Sequence, residues 1–349
     1  MKILSLKFNR SYYSVLLLIK PLRLHLIIGN ILKYFLTIFF FLCYSPCIYA
    51  QDWQNKPIKL IVPFPAGGGT DAVARALANK LSSQINQSII VENKSGANGV
   101  IGADFVARSA PDGSTILLTI ASHAIAPAVT KKIPYNTDTD FIAVSLVAKY
   151  PYLFTVPANS PANSFKEFIE LAKKNPGKIS YASSGTGSAP HLGMELLTDT
   201  AGLQMIHVPY KGAAPANNDL VSGQVQSMLN NLLAGAGLVR AKKLKILAIT
   251  SGARSPALPD VPTVKELGYP NYEVDGWYGV FLPAKTPNQI VQQLSFEIAK
   301  ALKDPDILSR LSNDGAIPVG STPKEFHDFF ILEKNQWALL TKKIKLELD

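Results

Sequence analysis

The chain has 349 residues, 47% hydrophobic and 17% charged, with 35 Lys and Arg against 25 Asp and Glu. That length and apolar content support a full core, and they exclude a disordered chain, a collagen-like repeat and a disulfide-stapled miniprotein. The formal charge of +10 would suit nucleic acid, but residues 1–50 hold six basic residues and no acidic one, leaving 29 basic against 25 acidic side chains in the body. Nucleic acid is therefore not an expected partner.

In chain order, the leader comes first. An apolar run from Ile31 to Leu42 follows Lys20 and Arg23, and Ile48-Tyr49-Ala50 ends in a small residue before Gln51. This pattern predicts a signal peptide over residues 1–50 and a periplasmic mature protein. The run is short for a bilayer span once Lys33 is set aside; a retained membrane anchor is the competing reading. Cys43 and Cys47 both lie in the leader, without the small residues of a lipobox, and the body is free of cysteine, as suits an oxidising compartment. Export makes a diffusible nucleotide cofactor implausible, and no cofactor is expected.

The body alternates strand and helix. Residues 57–62 (PIKLIV) predict a strand, the spacing of Ala72, Val73, Ala76, Leu77 and Leu81 a helix, 88–92 a strand, 102–108 a helix and 115–120 a strand. A strand-rich stretch over 141–156 is broken at Pro151. The second cycle reads as helix 164–174, strand 178–182, helix 190–201, strands 205–208, 225–229, 245–250 and 277–282, and closing helices 287–302 and 323–342. Such alternation predicts an α/β fold with parallel-rich sheets flanked by helices. Chain crossings near 150 and 273 divide it into lobe I (52–150 and 274–349) and lobe II (151–273), with the ligand cleft between the lobes.

Two glycine turns stand out. In Phe64-Pro65-Ala66-Gly67-Gly68-Gly69-Thr70-Asp71 the glycines allow a tight turn and close approach of a ligand, and the helix that follows offers unpaired amides to an anion. Gly67, Gly69 and Ala72 also fit a degenerate GxGxxA pattern with Glu92 downstream, but Pro63 and Pro65 break the tight strand-to-glycine junction of a dinucleotide site. The second turn, Ser183-Ser184-Gly185-Thr186-Gly187-Ser188-Ala189-Pro190-His191, holds hydroxyls and amides without Lys or Arg. Closing on one carboxylate from two sides, such turns would hold an anion and release it readily.

The chain contains no GxSxG, HExxH or Walker A sequence, so no catalytic residue and no metal ligand is assigned. Ser122 and His123 follow a strand on the same side as the first turn and are candidate lining residues. Asn231, Asp275 and Trp277 are candidates for the distal half of the site; capping, a solvated loop and hinge packing are their respective alternatives. An exported α/β enzyme acting on a carboxylate is the competing function.

Five segments, beginning IKLIVPFPAGGGTDAVARALA and including KISYASSGTGSAPHLGMELL and MIHVPYKGAAPANNDLVSGQVQ, together resemble the Bug family, the extracytoplasmic solute receptors of tripartite tricarboxylate transporters. The resemblance runs over residues 52–345. It implies a two-lobed periplasmic-binding-protein-like fold of type II, and a monomer that closes on a dicarboxylate, an amino acid or an aromatic acid without chemistry. It places the carboxylate between residues 64–71 and 183–191. The partner it implies is the transporter's membrane subunits or a sensor kinase. Asn230-Asn231 stands where many relatives carry Asp-Asn, and Asp275 where many carry a small hydroxylated residue.

Overall fold

The computed structural model describes Lys33 and residues 56–313 and 315–346. The expected signal peptide otherwise lies outside the described residues. No described helix is long and apolar enough to cross a membrane.

Two sheets organise the body. The first has the order β11-β4-β10-β3-β1-β2, built from β1 (Ile58–Val62), β2 (Ile89–Asn93), β3 (Thr115–Ile120), β4 (Phe141–Pro151), β10 (Asp275–Pro283) and β11 (Ile317–Pro318). The second has the order β7-β6-β8-β5-β9, from β5 (Leu153–Pro157), β6 (Ile179–Ser183), β7 (Met205–Pro209), β8 (Ser227–Asn230) and β9 (Leu244–Ile249). Both are mixed where the sequence predicts parallel-rich sheets. The parallel pairings are β1–β2, β1–β3, β6–β7 and β6–β8, and the strands at the crossings, β4, β5, β9 and β10, pair antiparallel. Two strands that enter from the other sheet must run against the βα units beside them, which no local pattern reveals.

Helices cover both sheets: α1 (Gly69–Ile85), α2 (Val100–Ala107), α3 (Ser122–Val129), α4 (Phe165–Lys174), α5 (Ala189–Ala201), α6 (Ala213–Ser222), α7 (Leu232–Arg240), α8 (Asn288–Ala301), α9 (Pro305–Asn313) and α10 (Pro323–Ile344). Their starts follow local chemistry. The Ser164 hydroxyl accepts from the Glu167 amide to begin α4, and Thr322 and Glu325 form a reciprocal capping box on α10. The helices at 122–129, 213–222, 232–240 and 305–313 escape the sequence reading. In α7 the run Leu-Leu-Ala-Gly-Ala-Gly carries no polar face to mark a period, and α3 is too short, with Pro127 inside it.

Apart from the exposed Lys59, the strands β1 and β3 are almost wholly buried, so they read as largely apolar runs rather than alternating ones. The main core continues from β10 into α10, where Trp277, Phe281, Phe326, Phe330 and Trp337 are buried. The buried Glu333 carboxylate accepts the indole N–H of both Trp277 and Trp337, each at 3.2 Å. A smaller apolar cluster of Ala182, Ala216, Leu220, Val225, Met228 and Leu244 underlies α6.

Two features position the site. Register places the start of β10 beside the end of β3 (Tyr278 opposite Ile120) and the start of β5 beside the end of β8 (Leu153 opposite Asn230). The crossings from β4 to β5 and from β9 to β10 therefore join the carboxyl ends of the parallel strands in the two sheets. Each of the six parallel strands leads into a helix at that end: α1, α2 and α3 in one sheet, α5, α6 and α7 in the other.

Packing at the crossing is tight. A Cβ on Gly276 would overlap the Tyr150 ring, which packs on Tyr152 and Tyr278. Gly276→Ala is expected to destabilise the fold by about 1–3 kcal/mol through overpacking, read as a lowered urea midpoint with unchanged slope.

Candidate functional site

The first turn is shaped from inside by a buried charge. Gly67 adopts φ 83°, which glycine tolerates without cost, and Gly68, the N-cap of α1, is extended and lacks a capping side chain. Asp71 orders the turn instead, from inside the helix. Its Oδ2 accepts from the Gly67 amide and from Arg75 Nε, both at 2.9 Å, and its Oδ1 accepts from Asn93 Nδ2 at 2.9 Å. Asn93 Nδ2 also donates to the Phe64 carbonyl at 3.0 Å. Burial alone would raise the Asp71 carboxyl, but the hydrogen bonds from Arg75, the Gly67 amide and Asn93, with the charge of Arg75, carry it down to about 2. Pro65, Ala66, Gly67 and Gly68 are exposed, and Gly69 and Thr70 partly so. The amides of Gly69 and Thr70 open α1, where the helix supplies them no acceptor.

The second turn is more closed. Ser183 is fully buried, and its Oγ lies 2.7 Å from His207 Nε2 while donating to the Gly185 carbonyl at 3.1 Å. That Ser–His distance suits a nucleophile and base, but burial and the bond to Gly185 make it a turn-forming contact. Ser188 Oγ caps α5 by accepting from the His191 amide at 3.4 Å and donates to the Gly185 carbonyl at 2.7 Å. His191 Nδ1 accepts the Gly187 amide at 3.1 Å. The His191 ring stacks on His207 with centroids 3.8 Å apart. Burial, and for His191 the neighbouring His207 as well, lowers these imidazoles to about 3 and about 4 respectively. Both are neutral spacers beneath the turn. Ser184, Gly185 and Thr186 form its solvent-reaching part.

The two turns meet. Asn98, in a short 3₁₀ turn after β2 (Ala97–Gly99), donates from Nδ2 to the Gly187 carbonyl at 3.4 Å. Tyr210 and Gly212 donate their amides to the Ser183 and Ser184 carbonyls at 3.1 and 3.2 Å, which clips the exposed Lys211 beside the second turn. Gly185, Thr186, Asn98 and Lys211 were not among the predicted site residues. Thr186 and Gly185 lie within the second motif; Asn98 and Lys211 are brought near only by strand pairing.

Several predicted ligand contacts are corrected. His123 is buried in a box of Tyr135, Phe141, Phe281 and Phe330, with ring centroids 4.8–5.8 Å away, and desolvation holds it at about 3. Trp277 is fully buried with its N–H taken by Glu333. The Asp71 carboxylate and the amides of Gly67 and Gly187 are used within the turns, and Ser188, Ala189 and His191 are buried there. Asn231 caps α7, its Oδ1 accepting from the Ala234 amide at 2.8 Å. Asp275 pairs with Lys149 at 2.5 Å, and although burial raises its carboxyl, Lys149 opposes that shift. Ser122 is buried with its Oγ unpaired, packed near Gly99 and Phe64. Among the described residues no group of three or more His, Cys, Asp and Glu is placed to hold a metal ion.

Two lobes joined by crossing strands, with helix starts gathered at the facing strand ends, define a solute-binding protein. A family model described as the tripartite tricarboxylate transporter family receptor matches residues 73–346. A Pseudomonas sp. (strain P51) protein, named UPF0065 protein in tcbD-tcbE intergenic region, is 39% identical over 298 residues, 85% of this chain and 89% of its own. The periplasmic binding protein BugD is 37% identical with TM-score 0.73, covering 84% of this chain and 99% of that structure. A Rhodopseudomonas palustris protein solved with adipate is 34% identical with TM-score 0.76, covering 85% and 100%. MatC of Rhodopseudomonas palustris with bound malate is 32% identical with TM-score 0.71, covering 81% and 98%. The chain belongs to the tripartite tricarboxylate transporter receptor family, that of the Bug proteins, and is a solute receptor rather than an enzyme.

The buried histidines set a pH dependence. The native His123 pKa lies below the ordinary 6.5, so between about 6.5 and 3 the unfolded chain binds a proton that the folded chain refuses. Stability is therefore fully present above about 6.5 and falls as pH drops, by up to about 1.4 kcal/mol per pH unit for His123. His123→Phe, filling the same aromatic box, is expected to shrink the fall in denaturant midpoint between pH 7 and pH 5.

Proposed function

We propose that this receptor captures a small organic carboxylate in the periplasm by closing lobe I (52–150 and 274–349) on lobe II (151–273). The observation that carries this reading is the hydrogen bond from Asn98, in the 3₁₀ turn whose Gly99 packs near Phe64 of the first glycine turn, to the Gly187 carbonyl of the second. Gly68, Gly69 and Thr70 present amides from the first turn, and Ser184 and Thr186 present theirs from the second, the Gly185 amide being taken by Ser183 Oγ at 3.2 Å, with Phe64 and Pro65 as the apolar wall beside them. The helix starts add positive potential without a fixed cation, and Lys211 adds one charge at the rim. A carboxylate replaces the water on these amides and draws the lobes together. The ligand's gain is its differential affinity for the closed form. Adipate and malate, held by the two Rhodopseudomonas relatives, are the first ligands to test here. The closed monomer is what a transporter subunit or a sensor kinase then recognises, after export by the 1–50 leader.

Thermal unfolding against a panel of dicarboxylates, amino acids and aromatic acids tests this directly. A true ligand at a hundred times its Kd stabilises the fold by about 2.7 kcal/mol and is recovered intact. Gly69→Pro gives the sharper test. Proline suits the first position of a helix and follows the extended Gly68 without strain, so it deletes one amide while leaving α1 in place. Losing one hydrogen bond to a charged ligand weakens binding roughly 10- to 100-fold. Unchanged affinity with an intact fold contradicts the assignment of the first turn.

A further inference from the structure

Beyond the carboxylate turns themselves, though resting on the receptor reading above, we infer that Asn98 is a positioning residue that fixes the second turn when the lobes close. Four consecutive residues, Gly96, Ala97, Asn98 and Gly99, have φ of 139°, 47°, 52° and 99°. Two of them are not glycine, so the backbone is held in a region that L side chains rarely adopt. The segment is packed down on the first turn. A Cβ on Gly99 would lie 3.3 Å from the Phe64 ring, 3.6 Å from Pro63 and 3.6 Å from Ser122 Oγ. Held in that conformation, the exposed Asn98 side chain reaches away from its own sheet, and its amide donates to the Gly187 carbonyl.

The peptide groups of Gly187 are thereby gripped from both sides. Its amide donates to His191 of the helix that follows it, and its carbonyl accepts from Asn98 in the turn after β2. Since Ser188 next to it caps α5, the bond sets the orientation of the exposed amides just before that helix. It exists only while the two turns are together, so it contributes to closure and to ligand affinity.

The opposite flank of the hinge supplies a means of rescue. Strand order puts the first turn on the β1 side of β10 and puts β11 on the other side. There a cavity of about 360 Å³ lies between Ile317 and Val319 of one lobe and Ala253 and Arg254 of the other, floored by Lys149 and Asp275. A rotation about the crossing strands that parts the turns would narrow this cavity, so added bulk within it is expected to favour the closed form.

The experiment uses the full chain with malate and adipate as probes. Asn98→Gly removes the amide and relieves the backbone at once, so it is expected to keep or raise Tm without ligand and yet bind the effective probe roughly two- to tenfold more weakly. Val319→Trp, at a half-exposed position, is expected to restore that affinity in the double variant. Affinity equal to wild type in Asn98→Gly overturns the proposal. A ligand-free measurement separates it from the receptor reading. Cys43→Ser and Cys47→Ser clear the chain of native thiols, and spin labels at Ala66→Cys and Thr186→Cys then report the distance between the turns. A longer distance in Asn98→Gly supports the role of Asn98 and an unchanged one overturns it, even where wild type binds neither probe and the receptor reading itself fails.

Discussion

A buried negative charge orders the turn at which another negative charge is proposed to bind. Asp71 sits in the first turn of α1, where its carboxylate is favoured by the helix start. It is consumed by three donors: the Gly67 amide, Arg75 and Asn93. Each bond fixes a different part of the turn. The first folds the glycine run back on itself, the second anchors it to α1, and the third ties it through Asn93 to β2 and the Phe64 carbonyl. With its charge satisfied from within, Asp71 leaves the amides of Gly68, Gly69 and Thr70 as the groups proposed to meet a ligand. Without it a run of three glycines has no reason to hold one conformation, since glycine loses the most freedom on being ordered.

The second turn reaches the same end by neutral means. The stacked rings of His191 and His207, with Tyr181 beyond His207 at 5.1 Å, form a platform under Ser183 and Gly187. Tyr181 Oη bonds to Glu195, which lies 3.8 Å from His191 Nε2. Because Nδ1 of His191 accepts the Gly187 amide, that ring carries its proton on Nε2, toward Glu195. Desolvation keeps both rings uncharged across the neutral range, so the potential at this turn comes from amides and helix starts and from Lys211. An anion so held is not pinned by a guanidinium, which suits a receptor that must also release its cargo.

Much of this was legible in the chain. The strand-helix alternation, the crossing points and both glycine turns follow from apolar runs, capping residues and turn chemistry, all of which act within a few residues. What local patterns cannot show is which side of a strand or helix faces the cleft. His123 and Trp277 lie close in sequence to strand ends that approach the site, but their side chains turn into the layer between β10 and α10. Asn231 and Asp275 satisfy nearby groups, an amide of α7 and the Lys149 ammonium, before any ligand arrives. In the other direction, Asn98 and Lys211 owe their place to parallel pairing of β2 with β1 and of β7 with β6, long-range contacts that leave no trace in spacing. The Ala- and Gly-rich segments of α6 and α7 hid two of the three helix starts of the second sheet.

The account's central claim is that backbone amides of two turns, one from each sheet, share a carboxylate. Backbone amide resonances of the ¹⁵N-labelled protein, followed on adding malate or adipate, address it most directly. The account predicts large shifts at Gly68, Gly69 and Thr70 together with Ser184 and Thr186, at a common midpoint. Shifts confined to one of the two turns, or centred on Lys149 and Asp275 at the hinge, would contradict it.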